Sequence, residues 1–487
     1  MLVLYGYLIR ALGIAAMGVW SVLSALTAIG RIGEAGLSMG LTRNVAMALA
    51  NHNEAAAARF VQTAIISLLF SVSVIVLLAF PFLEKLITVS IAHDGRQLAL
   101  ELLPFSAVSF ILLLLGTTLC GALDGTQRVD LRNAVVVVGS VSLVFASFIF
   151  VPLLGLRGVI YAQLLQGFVV IALSWKLLRR RIRKLPWIPY KWNAQEFKWL
   201  FGFGAGIQAM QISGAIADAV VKSAISAYGG LATVGIYEMA SKYAGQLRAL
   251  LVLPTQVMLP AVVAAQAKSE EAVDVIYGRA VKTMLFLSVP YHSFAIATTP
   301  ILVFLWAGES MPRLRMYIAW LLIASAINSI ANPAYFSYLG IGRIRWLVVA
   351  NIVIAFVTCI GTTIVGNAIG ANGVVGLAAC SFALGSLIMP AAFHKERSFR
   401  LRNIVSLRDL WTAALSVTGS AISFVIFGTS FPRSDQVSSI LLGVLTIIVF
   451  IVTPIGMHPM RREVFSEMKN AFRNKTVKIS ESRNHES

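Results

Sequence analysis

Residues 60–82 read FVQTAIISLLFSVSVIVLLAFPF, a run that contains no charged side chain. A helix rises about 1.5 Å per residue, so some 20 apolar residues cross roughly 30 Å of hydrocarbon, and this run is long enough to do so. Outward from it, similar runs recur near 2–15, 19–42, 98–120, 133–153, 157–177, 201–227, 231–259, 279–306, 314–339, 345–367, 373–392, 411–430 and 437–456. The reading is an all-α polytopic membrane protein of about fourteen transmembrane helices. Composition agrees, because 58% hydrophobic residues, 13% charged residues and a mean hydropathy of +0.81 exceed what one soluble core can bury. The opening run is short for a crossing, so either the first helix is stunted or the start of the chain is assigned late.

A net charge of +19 would suit a nucleic-acid binder, but the basic residues stand between the apolar runs and form no soluble face. Lys176, Arg179, Arg180, Arg181, Arg183 and Lys184 follow the sixth span, and Lys395, Arg397, Arg400, Arg402 and Arg408 follow the twelfth. The positive-inside rule puts both loops, and both termini, in the cytoplasm. Cys120, Cys359 and Cys380 all fall within spans, which leaves no disulfide framework or metal cluster and makes them packing residues. No cleavable leader is evident, since the first apolar stretch runs through Arg10 into the next span. The polar stretch from 457 to 487 reads as a solvated cytoplasmic tail.

An internal repeat organises the spans. Gly18-Val19-Trp20 aligns with Gly235-Ile236-Tyr237, Asn53-Glu54-Ala55 with Glu270-Glu271-Ala272, Gly125-Thr126-Gln127-Arg128 with Gly340-Ile341-Gly342-Arg343, and Arg157-Gly158-Val159 with Asn372-Gly373-Val374. All four share an offset of about 215 to 217 residues, which spans six helices and therefore preserves orientation across the membrane. The expected plan is an N-terminal six-helix lobe over 1–184, a basic cytoplasmic linker over 185–200, a parallel C-terminal six-helix lobe over 201–393, a basic loop with two more helices over 394–456, and the tail.

Ionisable residues inside a span are expensive and face a cavity or a partner. In the second span Ser24, Thr27, Arg31, Glu34, Ser38 and Thr42 recur every three or four residues, on one helical face. The seventh carries Gln208, Gln211, Asp218 and Lys222. The eighth carries Glu238, Ser241, Gly245, Arg248 and Thr255, with Lys242 beside the stripe. These three spans are the expected cavity wall. Asp218 with Lys222, and Glu238 with Lys242, are also four apart and suited to neutralise each other on one helix. Arg43 suits either a cavity or a snorkelling position at a span end. Gly30, Gly33, Gly36 and Gly40 in the second span, and Pro254 and Pro260 in and after the eighth, suit bending points; the glycines equally suit close helix packing, as does Gly202 with Gly206.

Arg10-Ala11-Leu12-Gly13, Gly18-Val19-Trp20, Glu34-Ala35-Gly36-Leu37, Arg43, Asn53-Glu54, Gly125-Thr126-Gln127-Arg128, the Asp218 span and Gly235-Ile236-Tyr237 with Pro260 occur in an order that resembles the polysaccharide and O-antigen flippases. That family belongs to the multidrug/oligosaccharidyl-lipid/polysaccharide exporter superfamily, and the resemblance covers nearly the whole chain. It implies a V-shaped pair of lobes around a cationic cavity lined by the first, second, seventh and eighth spans. The implied cargo is an undecaprenyl-pyrophosphate-linked oligosaccharide, an O-antigen or exopolysaccharide repeat unit, turned from the cytoplasmic to the periplasmic leaflet of a bacterial inner membrane. Glu34 stands where the family usually has Asp, and the segment before Gly13 is shorter than the family's first helix.

The residues suit that cargo. Arg31, Arg43, Lys222, Lys242 and Arg248 are the expected binders of a pyrophosphate, whose hydration charge-assisted hydrogen bonds can replace. Glu34, Asp218 and Glu238 are the expected ion-coupling carboxylates. No Gly-rich loop ending in Lys-Ser/Thr is present, so movement is expected to follow an ion gradient or the substrate's own, without ATP or another cofactor. A multidrug/cation antiporter of the same superfamily is the nearest rival, disfavoured by the basic excess on the wall. A polymerase or ligase would need a sizeable periplasmic loop and a nucleophile with its base, and neither appears. A non-transporting scaffold would tolerate loss of the buried charges. Membrane lipids, a polysaccharide polymerase and export machinery are the expected partners, and nucleic acid is not.

Overall fold

The computed structural model describes residues 2–27, 37–90, 93–255, 258–266, 269–307, 311–397, 406–430 and 437–457. Among these the regular elements are all helical: α1 (Leu2–Leu12), α2 (Ile14–Thr27), α3 (Leu37–Ala50), α4 (Glu54–Ser90), α5 (His93–Gly125), α6 (Val129–Leu154), α7 (Leu156–Arg181), α8 (Ala194–Thr255), α9 (Met258–Gln266), α10 (Glu270–Ala307), α11 (Pro312–Ile341), α12 (Arg345–Ile369), α13 (Ala371–Ser386), α14 (Ile388–Glu396), α15 (Leu407–Ser430), α16 (Val437–Ile447), a π turn at Ile448–Val452 and α17 (Thr453–Met457). Ten helices among the described residues are long and apolar enough to cross a membrane. Large apolar side chains stand in the open on them, Phe70 at 72%, Leu77 at 73% and Leu78 at 75% exposure. Such a surface is stable only when lipid covers it, and the chain is a multi-pass membrane protein.

Several helices outrun the apolar stretches that announced them. The run at 60–82 is the middle of α4, whose helix begins at Glu54 because Ala55–Ala58 are strong helix formers and Asn53 Oδ1 caps the Ala56 N–H at 3.0 Å. The second expected span, 19–42, corresponds to α2 and α3, with 28–36 outside the described residues; α3 passes position 42 and stops at Ala50, just before His52 takes a φ of 54°. The linker expected over 185–200 is helical from Ala194, where Asn193 Oδ1 accepts the N–H groups of Gln195 and Glu196 as an N-cap. Ahead of that cap, the segment is tied along α4: the Gln62 amide oxygen accepts from the Tyr190 and Lys191 N–H groups, and Trp192 Nε1 donates to Ser67 Oγ at 2.9 Å.

Left-handed backbone marks the tight reversals. Gly13, Gly155, Gly230, Gly342 and Gly370 have positive φ, and so does Gln127 at 58°. Gly230, with φ 74° and ψ 171°, breaks α8 into two helices, as the separate runs at 201–227 and 231–259 anticipate. The positions pair at the offset read from the sequence: Gly13 with Gly230, Gln127 with Gly342, Gly155 with Gly370.

The chain divides into two compact units, Met1–Lys242 with Leu347–Ser381, and Tyr243–Trp346 with Phe382–Ser487. The core of the first gathers Leu41 and Val45 of α3, Val61, Ala64 and Leu68 of α4, and Leu119 and Leu123 of α5. In the second, Ala297 of α10, Phe427 of α15, Ile447 of α16 and Ile451 of the π turn form a smaller cluster. Gly40 packs onto the Leu200 backbone, so close packing is its use; Gly30, Gly33 and Gly36 lie outside the described residues, as do the side chains at Gly202, Gly206, Pro254 and Pro260. Cys120 is buried as a packing residue should be, whereas Cys380 is exposed on its helix.

A non-glycine residue held in the left-handed region is strained by about 1–2 kcal/mol. Gln127→Gly should therefore raise the thermal unfolding temperature of the detergent-solubilised protein. Gly342→Gln, with open space around it but φ at 78°, should lower it.

Candidate functional site

The first unit brings α2 against the second half of α8 through two glycines. A Cβ on Gly18 would collide with the Leu231 carbonyl oxygen, and a Cβ on Gly235 with the Ile14 carbonyl oxygen. The two contacts are reciprocal, since the repeat offset carries Gly18 to Gly235 and Ile14 to Leu231. Absence of both side chains lets the backbones cross at contact distance. One helical turn beyond each glycine the crossing sets Ser21 against Glu238, with Ser21 Oγ donating to Glu238 Oε2 at 2.7 Å. Trp20, neighbour to Ser21, directs Nε1 to Gln163 Oε1 at 3.4 Å and packs its ring 5.6 Å from that of Tyr5.

Glu238 is the middle of a chain of charges. Lys222 Nζ lies 2.9 Å from Glu238 Oε2 and 2.9 Å from Asp218 Oδ2, and Lys242 Nζ lies 3.4 Å from Glu238 Oε1. The two inner members are buried, with side-chain exposures of 7% for Lys222 and 4% for Glu238. The outer two are half-exposed, at 42% for Asp218 and 48% for Lys242. Both four-residue pairs foreseen from spacing exist, and each neutralises within its own helix segment. The Lys222–Glu238 bond joins them into one network with two charges of each sign. That link needs the Gly230 break, which turns the chain so that residues on either side of it face each other.

The remaining expected residues lie elsewhere. Arg31 and Glu34 fall outside the described residues. Arg43 is not at a helix end; it sits midway along α3, because the helix continues to Ala50, and it lines a cavity within the first unit. Arg248 belongs to the second unit, where Nη1 donates to Asn328 Oδ1 at 3.2 Å and the guanidinium carbon stands 5.3 Å from the Phe382 ring centre. Asn328 Nδ2 in turn donates to Ser386 Oγ at 2.8 Å. Ser21, Asn328 and Ser386 are neutral side chains that the search for charged stripes passed over. For Ser21 there was a signal, since it occupies the repeat position of Glu238. Among the described residues, no group of three or more His, Cys, Asp and Glu is placed to hold a metal ion.

The model of a family described as polysaccharide biosynthesis protein matches residues 8–311. The chain belongs to the polysaccharide biosynthesis protein family. Solved structures with the same fold include a multidrug resistance MATE family transporter of the MOP superfamily in an inward-facing conformation, 17% identical, covering 82% of this chain and 95% of its own, with a TM-score of 0.66. The lipid II flippase MurJ in an inward closed conformation is 14% identical, over 92% of this chain and 98% of its own, at a TM-score of 0.61. A MOP superfamily transporter from Pyrococcus furiosus Vc1, described by the reverse polarity of its binding pocket, is 17% identical over 81% of this chain and 91% of its own, at 0.58. No curated protein matches the chain significantly. At these identities the structures establish that this family member shares the fold of MOP transporters.

Removing one partner of a buried ion pair costs about 3–5 kcal/mol, because the other charge stays desolvated. Glu238→Gln and Lys222→Met should each lower the unfolding temperature in detergent, Glu238→Gln the more because Lys222 then faces only Asp218. The double variant should be more stable than the sum of the two losses predicts. Additive losses would mean that the two side chains do not act as a pair.

Proposed function

We propose that this family member is a transporter that flips an undecaprenyl-pyrophosphate-linked oligosaccharide from the cytoplasmic to the periplasmic leaflet of a bacterial inner membrane by alternating access. The observation that carries the reading is the neutral chain Asp218–Lys222–Glu238–Lys242 inside a membrane helix. A pyrophosphate entering a low-dielectric cavity needs compensating positive charge. Here the lysines already have carboxylate partners, and a proton on Glu238 releases Lys242 and leaves Lys222 with Asp218 alone, so the network gains one positive charge with which to bind an anion. Protonation and headgroup binding then favour one another, which is the thermodynamic requirement for coupling to a proton gradient. Ser21 keeps a hydrogen bond to the carboxyl in either state, since its hydroxyl can donate or accept. Arg248, with Arg31, supplies further cations, and Glu34 and Asp218 further acceptors.

On this reading two parallel six-helix lobes, 1–184 and 201–393, alternate about the site while the prenyl chain stays in lipid, with both termini in the cytoplasm. A polymerase that extends the repeat units and the export machinery are the natural partners downstream. A second reading keeps its own support: the fold shared with a multidrug resistance transporter, together with Asp218 and Glu238, suits an antiporter that exchanges an organic cation for protons. The two differ in the sign of the cargo.

The test is the periplasmic accessibility of lipid-linked oligosaccharide in cells that lack the protein, complemented separately by wild type, by Lys242→Ala with Arg248→Ala, and by Glu238→Gln. Flipping predicts cytoplasmic accumulation that wild type relieves and the double variant does not, with expression of each verified. Glu238→Gln should retain flipping that no longer responds to the proton gradient. Unchanged precursor distribution on deletion, with altered efflux of organic cations, would transfer the assignment to the antiporter.

A further inference from the structure

A cavity of about 700 Å³ lies within the first unit, between α5 and α6, with α7 as its floor and α3 along one side. The α5–α6 hairpin closes at Thr126 and Gln127, where half-exposed Arg128 and exposed Asp130 form an ion pair at 2.7 Å, the polar end expected at a membrane surface. Just inside the turn, Asp124 of α5 faces Arg132 of α6 across 3.9 Å. This is too long for a hydrogen bond, and the buried atoms Asp124 Oδ1 and Arg132 Nε have no hydrogen-bond partner. Arg43 of α3 lines the same end of the cavity, and Gln163 and Gln166 of α7 supply amides along the floor. Buried polar atoms left without partners are uncommon in native folds, and two of opposite character side by side define what would satisfy them: an acceptor for the arginine and a donor for the carboxylate.

Farther from the turn the wall becomes apolar. Leu113 of α5 and Val136 of α6 line the cavity and are also open to the outside, 48% and 44% exposed, so its rim faces the hydrocarbon. By the helical rise they lie about 6 to 16 Å deeper than Asp124 and Arg132. Gly116, Gly121 and Gly167 complete the wall, each packed tightly against a neighbouring side chain, Val170, Ser38 and Leu112 respectively. We propose that this crevice binds a phospholipid of the adjoining leaflet, with its phosphodiester on Arg43 and Arg132, the hydrogen-bond donor of its headgroup on Asp124, and an acyl chain leaving between Leu113 and Val136. The site is separate from the charged chain at Glu238 and takes a resident lipid, whatever the transported cargo. Two headgroups have the required chemistry, an ethanolamine ammonium and a glycerol hydroxyl; a choline lacks the donor.

Native mass spectrometry of the delipidated full chain, titrated with phosphatidylethanolamine, phosphatidylglycerol or phosphatidylcholine, tests this directly. The first two should form a one-to-one adduct at least tenfold more readily than the third. Arg132→Gln should weaken both adducts about tenfold, and Asp124→Asn should remove the discrimination against choline. Leu113→Trp, on the lipid-facing rim, should block binding while leaving lipid-free thermal unfolding unchanged, which separates a filled crevice from a damaged fold. Equal binding of all three lipids by wild type, wild-type binding by Arg132→Gln, or equal binding of soluble glycerophosphoethanolamine would overturn the proposal.

Discussion

Glu238 holds a carboxylate at 3% exposure inside a membrane helix, and its surroundings serve as the solvent that this charge lacks. Two lysines and a serine hydroxyl surround its oxygens. For the serine to arrive, α2 must touch α8, which only glycine at 18 and at 235 permits. For Lys222 to arrive, α8 must turn back on itself, which Gly230 permits with a backbone conformation that costs other residues energy. Three glycines without chemistry of their own therefore decide whether a charge can be buried here at all. An isolated ionised group at this depth would be strongly disfavoured, so compensation and backbone geometry are a single constraint.

That constraint explains why the site is neutral where a simple count of basic residues makes it cationic. Lys222 is held by two carboxylates, and Lys242 is the more accessible of the pair. A neutral, internally bonded site has a property that a row of bare cations would lack: its affinity for an anion depends on the protonation of its acids. In a transporter this is the difference between a trap and a carrier, because release requires the cations to be reclaimed. For the phosphorylated lipid proposed as cargo, the charge network would supply the means of coupling.

The fold class was legible because hydrophobic length is a one-dimensional property: a run such as 60–82 crosses a membrane whatever surrounds it. Helix ends were less legible. Glu54 and Arg59 interrupt the apolar run, but they frame four alanines whose propensity, with the Asn53 cap, extends α4 through them as helix. The repeat was visible as short matching words, and the left-handed pairs Gly13 with Gly230 and Gly155 with Gly370 give those words a backbone meaning. At the candidate site, helical spacing disclosed Asp218–Lys222 and Glu238–Lys242. Ser21 stayed hidden because a serine in a membrane helix commonly bonds its own backbone, and Asp124 with Arg132 because residues flanking a loop read as topology signals.

The sequence by itself determined that this chain spans a membrane many times, that short matching words recur at a 215 to 217 residue offset, and that acids and bases are placed four apart within particular helices. Each follows from periodicity and transfer energy along one segment. Only the tertiary structure decided which of those charges meet. Lys222 joins Glu238, Ser21 reaches across from α2, and Arg248 turns to Asn328, because these contacts depend on where separate helices cross, and close approach of two backbones is set jointly by glycines more than 200 residues apart.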